Sequence, residues 1–130
     1  KDSTYNLYEK IKIPNFLVFP GSETKLLKGL ELGCSGIISA VCNCTAPLAR
    51  KVFEDFQNNK EQTVNSQLIR IRKVFDNYQL ISALHSLMSI NDKIYKNILP
   101  PLTLLTEDEK KELINKLKEI NFINQNNLAA

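Results

Sequence analysis

Short hydrophobic runs alternate with amphipathic stretches over the first 59 residues. Residues 16–19 form one apolar run, bounded by Asn15 and Pro20, and residues 36–41 form a second. Runs that are apolar on both faces are typical of strands in the interior of a parallel sheet. Each run is followed by a stretch with helical spacing, and residues 6–12 predict a short amphipathic helix before the first. The order strand, helix, strand, helix predicts parallel βαβ units, and therefore an α/β fold.

Capping signals delimit the two helices that follow these strands. Ser22 is a suitable N-cap with Glu23 in the first turn, and Gly33 is placed to end that helix in a left-handed conformation. Thr45 is the predicted N-cap of the next helix, with Pro47 in its first turn. The residues expected on the inner faces are Leu26, Leu27, Leu30, Leu48, Val52, Phe53 and Phe56.

The pattern becomes entirely helical from residue 60 onward. Three helices are predicted, over residues 61–78, 80–97 and 107–121. The last begins with a capping box, in which Thr106 is the N-cap and Glu109 follows three residues later. Two prolines predict an extended segment at residues 99–102. The Asn-rich tail, residues 121–130, is expected to fray.

Two strands that are apolar on both faces cannot form a stable sheet by themselves. They need neighbouring strands and helices on both faces, which must come from sequence outside these 130 residues or from another chain. An eight-stranded α/β barrel takes about 250 residues, so this length is near half of one.

Charge and cysteine content exclude several functions. The net charge is +3, with 17 basic and 14 acidic residues, and many lysines lie on amphipathic helices. We interpret them as solvated helix faces, and expect neither a nucleic-acid nor a membrane partner. Cys34, Cys42 and Cys44 are an odd number in a chain with a single histidine, so free thiols are favoured over a disulfide or zinc site. This usage favours the cytoplasm.

Three polar stretches stand at or beyond the predicted strand ends, at spacings of roughly 17 to 20 residues, one strand-plus-helix unit. They are Lys1-Asp2-Ser3-Thr4, then Phe19-Pro20-Gly21-Ser22-Glu23, and then Gly36-Ile37-Ile38-Ser39-Ala40 running to Asn43. These stretches resemble the dihydrodipicolinate synthase and N-acetylneuraminate lyase family of Schiff-base aldolases. The resemblance includes the Leu-Gly-Cys-Ser-Gly sequence that leads into the second strand, residues 32–36, and the Leu-Pro-Pro segment, residues 99–101. The block at residues 36–43 is the most specific part, and the resemblance covers essentially the whole chain.

The resemblance implies a fold and a set of site residues. The fold is the C-terminal half of a TIM (β/α)8 barrel at residues 1–59, followed by a three-helix extension at residues 60–130. Lys1 would be the catalytic nucleophile, which forms an iminium with pyruvate. The Ile38 backbone carbonyl would face bound pyruvate, and Gly21 would let the backbone approach the substrate. Ser22 and Asn43 would contact substrate, although a helix cap explains Ser22 equally well and a turn is the favoured interpretation of Asn43.

The family also implies pyruvate and an aldehyde or keto acid as substrates, no cofactor or metal, and a homo-oligomer, commonly a tetramer. The residues leave the reaction open. A synthase would condense pyruvate with aspartate semialdehyde, whereas an aldolase would cleave a 2-keto-3-deoxy sugar acid or N-acetylneuraminate. Ser22 leans towards the aldolases, and the Ile38–Ser39 pair towards the synthases. A non-catalytic α/β module, with the barrel likeness merely ancestral, is the alternative from a different class.

Overall fold

The structure is a computed structural model that describes residues 13–123. The predicted helix at residues 6–12, the Lys1 motif and most of the Asn-rich tail lie outside the described residues. The chain divides into two compact units, Lys1–Ile69 and Arg70–Ala130. The predicted division after residue 59 concerns where a barrel would end and an extension would begin, and it stays a prediction.

The first unit contains two helices that pack against each other, α1 (Leu26–Glu31) and α2 (Cys42–Gln57). A single 3₁₀ turn, Glu23–Lys25, leads into α1. Helix α3 (Asn65–Phe75) begins at the end of this unit. The apolar faces of these elements form one buried cluster, consisting of Leu26, Leu30, Ala49, Val52 and Leu68. The inner faces predicted for α1 and α2 are therefore confirmed at Leu26, Leu30 and Val52.

The predicted strands at residues 16–19 and 36–41 are extended segments rather than regular strands, and the structure has no β-strand within residues 13–123. Two hydrogen bonds join the segments, from the Ser35 amide to the Val18 carbonyl and from the Ile38 amide to the Pro20 carbonyl. The two bonded positions are two residues apart on the first segment but three residues apart on the second. A regular parallel ladder requires evenly spaced bonds, which this offset prevents. The end of the second predicted strand is also wrong, because residues 40 and 41 form a turn into α2.

Helix α2 begins four residues earlier than predicted, with Val41 rather than Thr45 as its N-cap. The helix starts at Cys42, and the buried Thr45 hydroxyl donates a 3.0 Å hydrogen bond to the carbonyl of Val41. A threonine inside a helix can satisfy its hydroxyl with the carbonyl four residues earlier, so it does not have to be the N-cap. Pro47 consequently stands inside the helix, beyond its first turn.

The helix ends are set by residues with positive φ, as predicted for Gly33. This glycine has φ +89°, and the amides of Gly33 and Cys34 bond back to the carbonyls of Leu30 and Gly29. That pair of bonds is a Schellman motif. Asn59 closes α2 in the same way, with φ +53°.

The second unit contains α4 (Leu80–Met88) and α5 (Glu107–Glu119), which pack against each other. Their buried apolar residues are Ala83, Leu84, Leu87, Leu113 and Leu117. The capping box predicted for the last helix is present, with reciprocal bonds between Thr106 and Glu109.

The helix predicted over residues 80–97 is two separate elements. After α4 ends, Asp92 accepts a 2.9 Å hydrogen bond from the amide of Ile94 and caps a 3₁₀ turn, Lys93–Lys96. Residues 99–102, predicted to be extended, form a turn closed by a 3.1 Å bond from the Leu102 amide to the Leu99 carbonyl, with a cis Pro100–Pro101 bond. A cis proline in a tight turn is a recognised turn type.

Within the described part of the chain, no helix is long and apolar enough to cross a membrane. Over the same residues no three histidine, cysteine, aspartate or glutamate side chains are grouped so that they could hold a metal ion.

Candidate functional site

Two predicted site stretches are held together by the extended segments that carry them. The Ser35 amide donates to the Val18 carbonyl at 2.9 Å, and the Ile38 amide donates to the Pro20 carbonyl at 3.1 Å. From the first bond to the second, the residue numbers increase on both segments, so the segments run parallel. Their C-terminal ends therefore meet at one place, as the order of the motifs predicted.

Gly21 and Ile38 face each other across this junction. A Cβ atom built on Gly21 would lie 3.8 Å from the carbonyl oxygen of Ile38. The Ile38 side chain is 72% exposed. The interpretation of Ile38 as an ordinary core residue thus does not describe its surroundings within residues 13–123, whereas a role for its backbone needs no burial.

Ser22 is held by its own turn. It lies in extended conformation as N-cap of the 3₁₀ turn, where its hydroxyl oxygen accepts from the Thr24 amide at 3.4 Å and lies 3.0 Å from the Thr24 hydroxyl. The capping interpretation of Ser22 accounts for these bonds. A contact with substrate stays a prediction.

Asn43 lies in the first turn of α2 and is exposed. Its side-chain amide donates to the Ala40 carbonyl at 2.9 Å, across the turn that links the second extended segment to the helix. This bond agrees with the interpretation of Asn43 as a turn residue. A contact between Asn43 and substrate stays a prediction. Pro47 has no N–H, so it cannot provide the helix bond that the Asn43 carbonyl would normally accept.

Glu23 was predicted only as a first-turn residue, and its burial at this junction is the feature that the sequence did not reveal. Its side chain is fully buried. One carboxylate oxygen accepts from the Ser39 hydroxyl at 2.8 Å, and the other accepts from the Cys42 thiol at 3.3 Å. The only available signal was its place next to the Gly21-Ser22 turn, which does not distinguish a buried carboxylate from a solvated one.

Two cysteines, Cys44 and Cys34, are kept protonated by their surroundings. Burial, followed by the negative charge of Glu23, raises the pKa of Cys44 to about 12. Burial also raises the pKa of Cys34. A nucleophilic thiol needs a lowered pKa, so Cys34 and Cys44 behave as small packed groups, consistent with the prediction of free thiols.

A mainly apolar cavity of about 390 Å³ lies beside the second extended segment. It is lined by residues that include Phe19, Ile37, Cys42, Arg50 and Phe53. The four described candidate residues, Gly21, Ser22, Ile38 and Asn43, do not line it. The fifth, Lys1, lies outside the described residues.

Comparison with known proteins identifies the family. The model of the dihydrodipicolinate synthetase family matches residues 1–120. Because this match covers nearly the whole chain, the chain belongs to that family, and the resemblance found in its sequence is confirmed. A search of curated protein sequences found no match.

A solved structure shares the fold. Proteus mirabilis N-acetylneuraminate lyase superposes with a TM-score of 0.76 at 22% sequence identity. The match covers 95% of this chain but 43% of the lyase chain, so the present chain spans less than half the length of that protein. At this level of identity the similarity describes the fold alone.

Proposed function

We propose that this chain supplies the C-terminal half of a TIM (β/α)8 barrel whose complete form makes or breaks a carbon–carbon bond of pyruvate by aldol chemistry. The observation that carries the proposal is the parallel meeting of the Gly21 and Ile38 segments in a member of the dihydrodipicolinate synthetase family. Active sites of such barrels lie where the C-terminal ends of parallel strands converge.

The exposed apolar residues of the extended segments support the proposal that the other half of a barrel packs against them. Within residues 13–123, large hydrophobic side chains are exposed on both segments, at Phe16, Leu17, Phe19 and Ile38. Exposed apolar side chains concentrated in two adjoining segments indicate a place that another structural element covers. Strands of the remaining half would cover it and would complete the ladder that two hydrogen bonds begin.

In the proposed mechanism Lys1 attacks the ketone of pyruvate, water leaves, and the iminium that forms withdraws electrons so that an enamine can be generated. The Ile38 carbonyl and the open face of Gly21 would border bound pyruvate. Ser22 and Asn43 would border the second substrate, for which their exposed or half-exposed positions leave room. A dihydrodipicolinate synthase-like condensation of pyruvate with aspartate semialdehyde is the first candidate reaction.

Reductive trapping tests this proposal. The complete protein that contains this chain is treated with pyruvate and borohydride, and the peptide that contains Lys1 is examined by mass spectrometry. We expect a reduced pyruvate adduct on Lys1, which is lost in Lys1→Arg and retained in Lys28→Arg, a change of an exposed lysine on α1. Lactate, which has no ketone, should give no adduct. An intact complete protein without an adduct, or with one on a different lysine, would overturn the proposal.

The second candidate reaction is cleavage of a 2-keto-3-deoxy sugar acid or of N-acetylneuraminate. Ser22 and the Leu99-Pro100-Pro101 segment favour it. Adduct formation is common to the two reactions, and the later steps distinguish them. Pyruvate release from sugar acids indicates the aldolase, whereas pyruvate consumption only in the presence of aspartate semialdehyde indicates the synthase.

The proposal extends to assembly and location. Family resemblance favours a homotetramer in the cytoplasm. Sedimentation of the complete protein as a monomer would contradict the first part.

A further inference from the structure

The buried carboxylate of Glu23 lies between the two stretches that carry the candidate substrate-facing residues. Glu23 is two residues beyond Gly21, and its partner Ser39 directly follows Ile38. The Ser39 hydroxyl and the Cys42 thiol each donate to one oxygen of this carboxylate. A carboxylate is kept in a protein interior only where donors compensate its lost hydration, so these contacts fix its place.

The surroundings of Glu23 exclude direct exchange of protons with a substrate. Its side chain is 0% exposed, and both of its oxygens are engaged by donors from the second stretch. A general acid or base must reach the proton that it transfers. Glu23 can therefore influence a reaction only through the groups that it holds.

Ile38 is the group whose position depends on this link. Its side chain is 72% exposed, so packing within residues 13–123 does little to orient it. Its peptide is held on one side by the bond from its own amide to Pro20. On the other side it is held by the neighbouring Ser39, through the 2.8 Å bond to Glu23. These two anchors set the direction of the Ile38 carbonyl, which lies between them.

We propose that Glu23 is a positioning residue that sets pyruvate affinity, because its bond to Ser39 fixes the Ile38 carbonyl opposite Gly21. This inference rests on the proposed function, in which that carbonyl borders bound pyruvate. Loss of the bond should let the carbonyl move and weaken pyruvate binding. It should leave Lys1 able to form the adduct once pyruvate is saturating.

The decisive variant is Ser39→Ala in the complete protein, because it removes one hydroxyl and little volume. Pyruvate is titrated in the borohydride trapping assay, and both the half-saturating concentration and the maximal extent of adduct are recorded. We expect half-saturation to rise about tenfold, as for the loss of one hydrogen bond to a charged group. The maximal extent should be unchanged. Ser39→Thr, which keeps the hydroxyl, should restore the wild-type value.

Ser35→Ala is the matched control. It makes the same chemical change in the same extended segment but leaves the Ser35 amide bond to Val18 in place. Its half-saturation should equal that of the wild type. Glu23→Gln tests the other partner, and the effect of Ser39→Ala should shrink in its background because the two residues act as a pair. If Glu23→Gln does not fold, the Ser39 variants decide the question alone.

A folded Ser39→Ala protein with the pyruvate half-saturation of wild type and Ser35→Ala would overturn the role of Glu23 while leaving the Schiff-base proposal intact. An undiminished effect of Ser39→Ala in a folded Glu23→Gln protein would overturn it as well. Failure of the wild-type protein to form any adduct is a different result. It would overturn the proposed function, and the positioning role with it.

Discussion

The carbonyl oxygen of Ile38 lies at ordinary van der Waals distance, 3.8 Å, from the position that a methyl group on Gly21 would occupy. Gly21 also has no left-handed φ. Space and backbone conformation therefore both accommodate an alanine at this position. A requirement for glycine there would have to come from outside residues 13–123, and under the proposed function it would come from bound pyruvate.

Gly21→Ala should accordingly change function without changing stability. Unfolding free energy should stay within about 1 kcal/mol of wild type, since the backbone conformation suits alanine. Under the proposed function, the KM for pyruvate should rise because the added methyl group narrows the approach to the Ile38 carbonyl. Urea unfolding and steady-state kinetics of the complete protein measure the two effects.

Gly36→Ala is the opposite control. Gly36 has φ +149°, and a Cβ atom there would lie 3.6 Å from the ring of Phe19. This backbone conformation is strained for any other residue, so we expect a loss of about 1–3 kcal/mol in unfolding free energy. A destabilised Gly21→Ala together with a stable Gly36→Ala would contradict both expectations.

The buried Ser86 hydroxyl stabilises the segment that leads into α5. It accepts a 2.9 Å hydrogen bond from the Leu105 amide, and its side chain is almost completely buried. Ser86→Ala removes this acceptor and should lower the unfolding free energy by about 1–3 kcal/mol. Hydrogen exchange at the Leu105 amide should accelerate. Ser66→Ala, at an exposed position of α3, should change neither quantity.

The capping box of α5 predicts a specific dependence of stability on pH. Hydrogen bonds from the amide and hydroxyl of Thr106 lower the pKa of Glu109 below 4.5. A carboxyl whose pKa is depressed by folding stabilises the native state above its unfolded pKa, and this contribution disappears as the pH falls through the folded value. Glu109→Gln retains an acceptor oxygen but has no charge. The unfolding free energy of Glu109→Gln should therefore fall furthest below that of wild type above pH 4.5, and the difference should disappear at lower pH.

Thermal unfolding of wild type and Glu109→Gln between pH 2 and pH 7 measures this difference. In a Thr106→Val background, which lacks the hydroxyl donor, the deficit above pH 4.5 should be smaller. A deficit that grows as the solution is acidified would contradict the assignment.

Cys44 should resist alkylation. Its pKa is raised to about 12, first by burial and then by the charge of Glu23. With that pKa, about one Cys44 side chain in a thousand is ionised at pH 9, and the thiolate is the reactive form. Iodoacetamide labelling followed by mass spectrometry should show slow modification of Cys44 in the native protein and rapid modification in urea. Equal rates in the two conditions would show that the thiol is neither buried nor perturbed.

Sequence predicted those features that depend on a few neighbouring residues. Thr106 caps the helix that it was predicted to cap, and Gly33 ends α1 with positive φ. Ser22 is an N-cap as predicted, although it caps the 3₁₀ turn that leads into α1 and not α1 itself. In each of them the side chain or backbone bonds to groups within a few positions along the chain. Such signals can be recognised in a linear pattern because nothing distant is needed to complete them.

Features that depend on distant partners were predicted wrongly or not at all. Residues 16–19 have a strand's composition, but a strand is defined by its ladder, and the described residues supply only two irregular bonds to residues 34–39. Thr45 has the composition of a cap, but the helix starts at Cys42 and satisfies Thr45 internally. The burial of Glu23 depends on Ser39, whose position relative to Glu23 is known only once the chain has folded.

The Glu23–Ser39 hydrogen bond also bears on the order of folding. Its partners are 16 positions apart, and α1 occupies much of the chain between them. Closing a loop of this length costs less entropy than closing one across a whole barrel, so such a contact tends to form earlier. We therefore expect the turn after the first extended segment, α1 and the start of α2 to order as one local nucleus. Strands that join later from elsewhere would then add to a register that is already fixed.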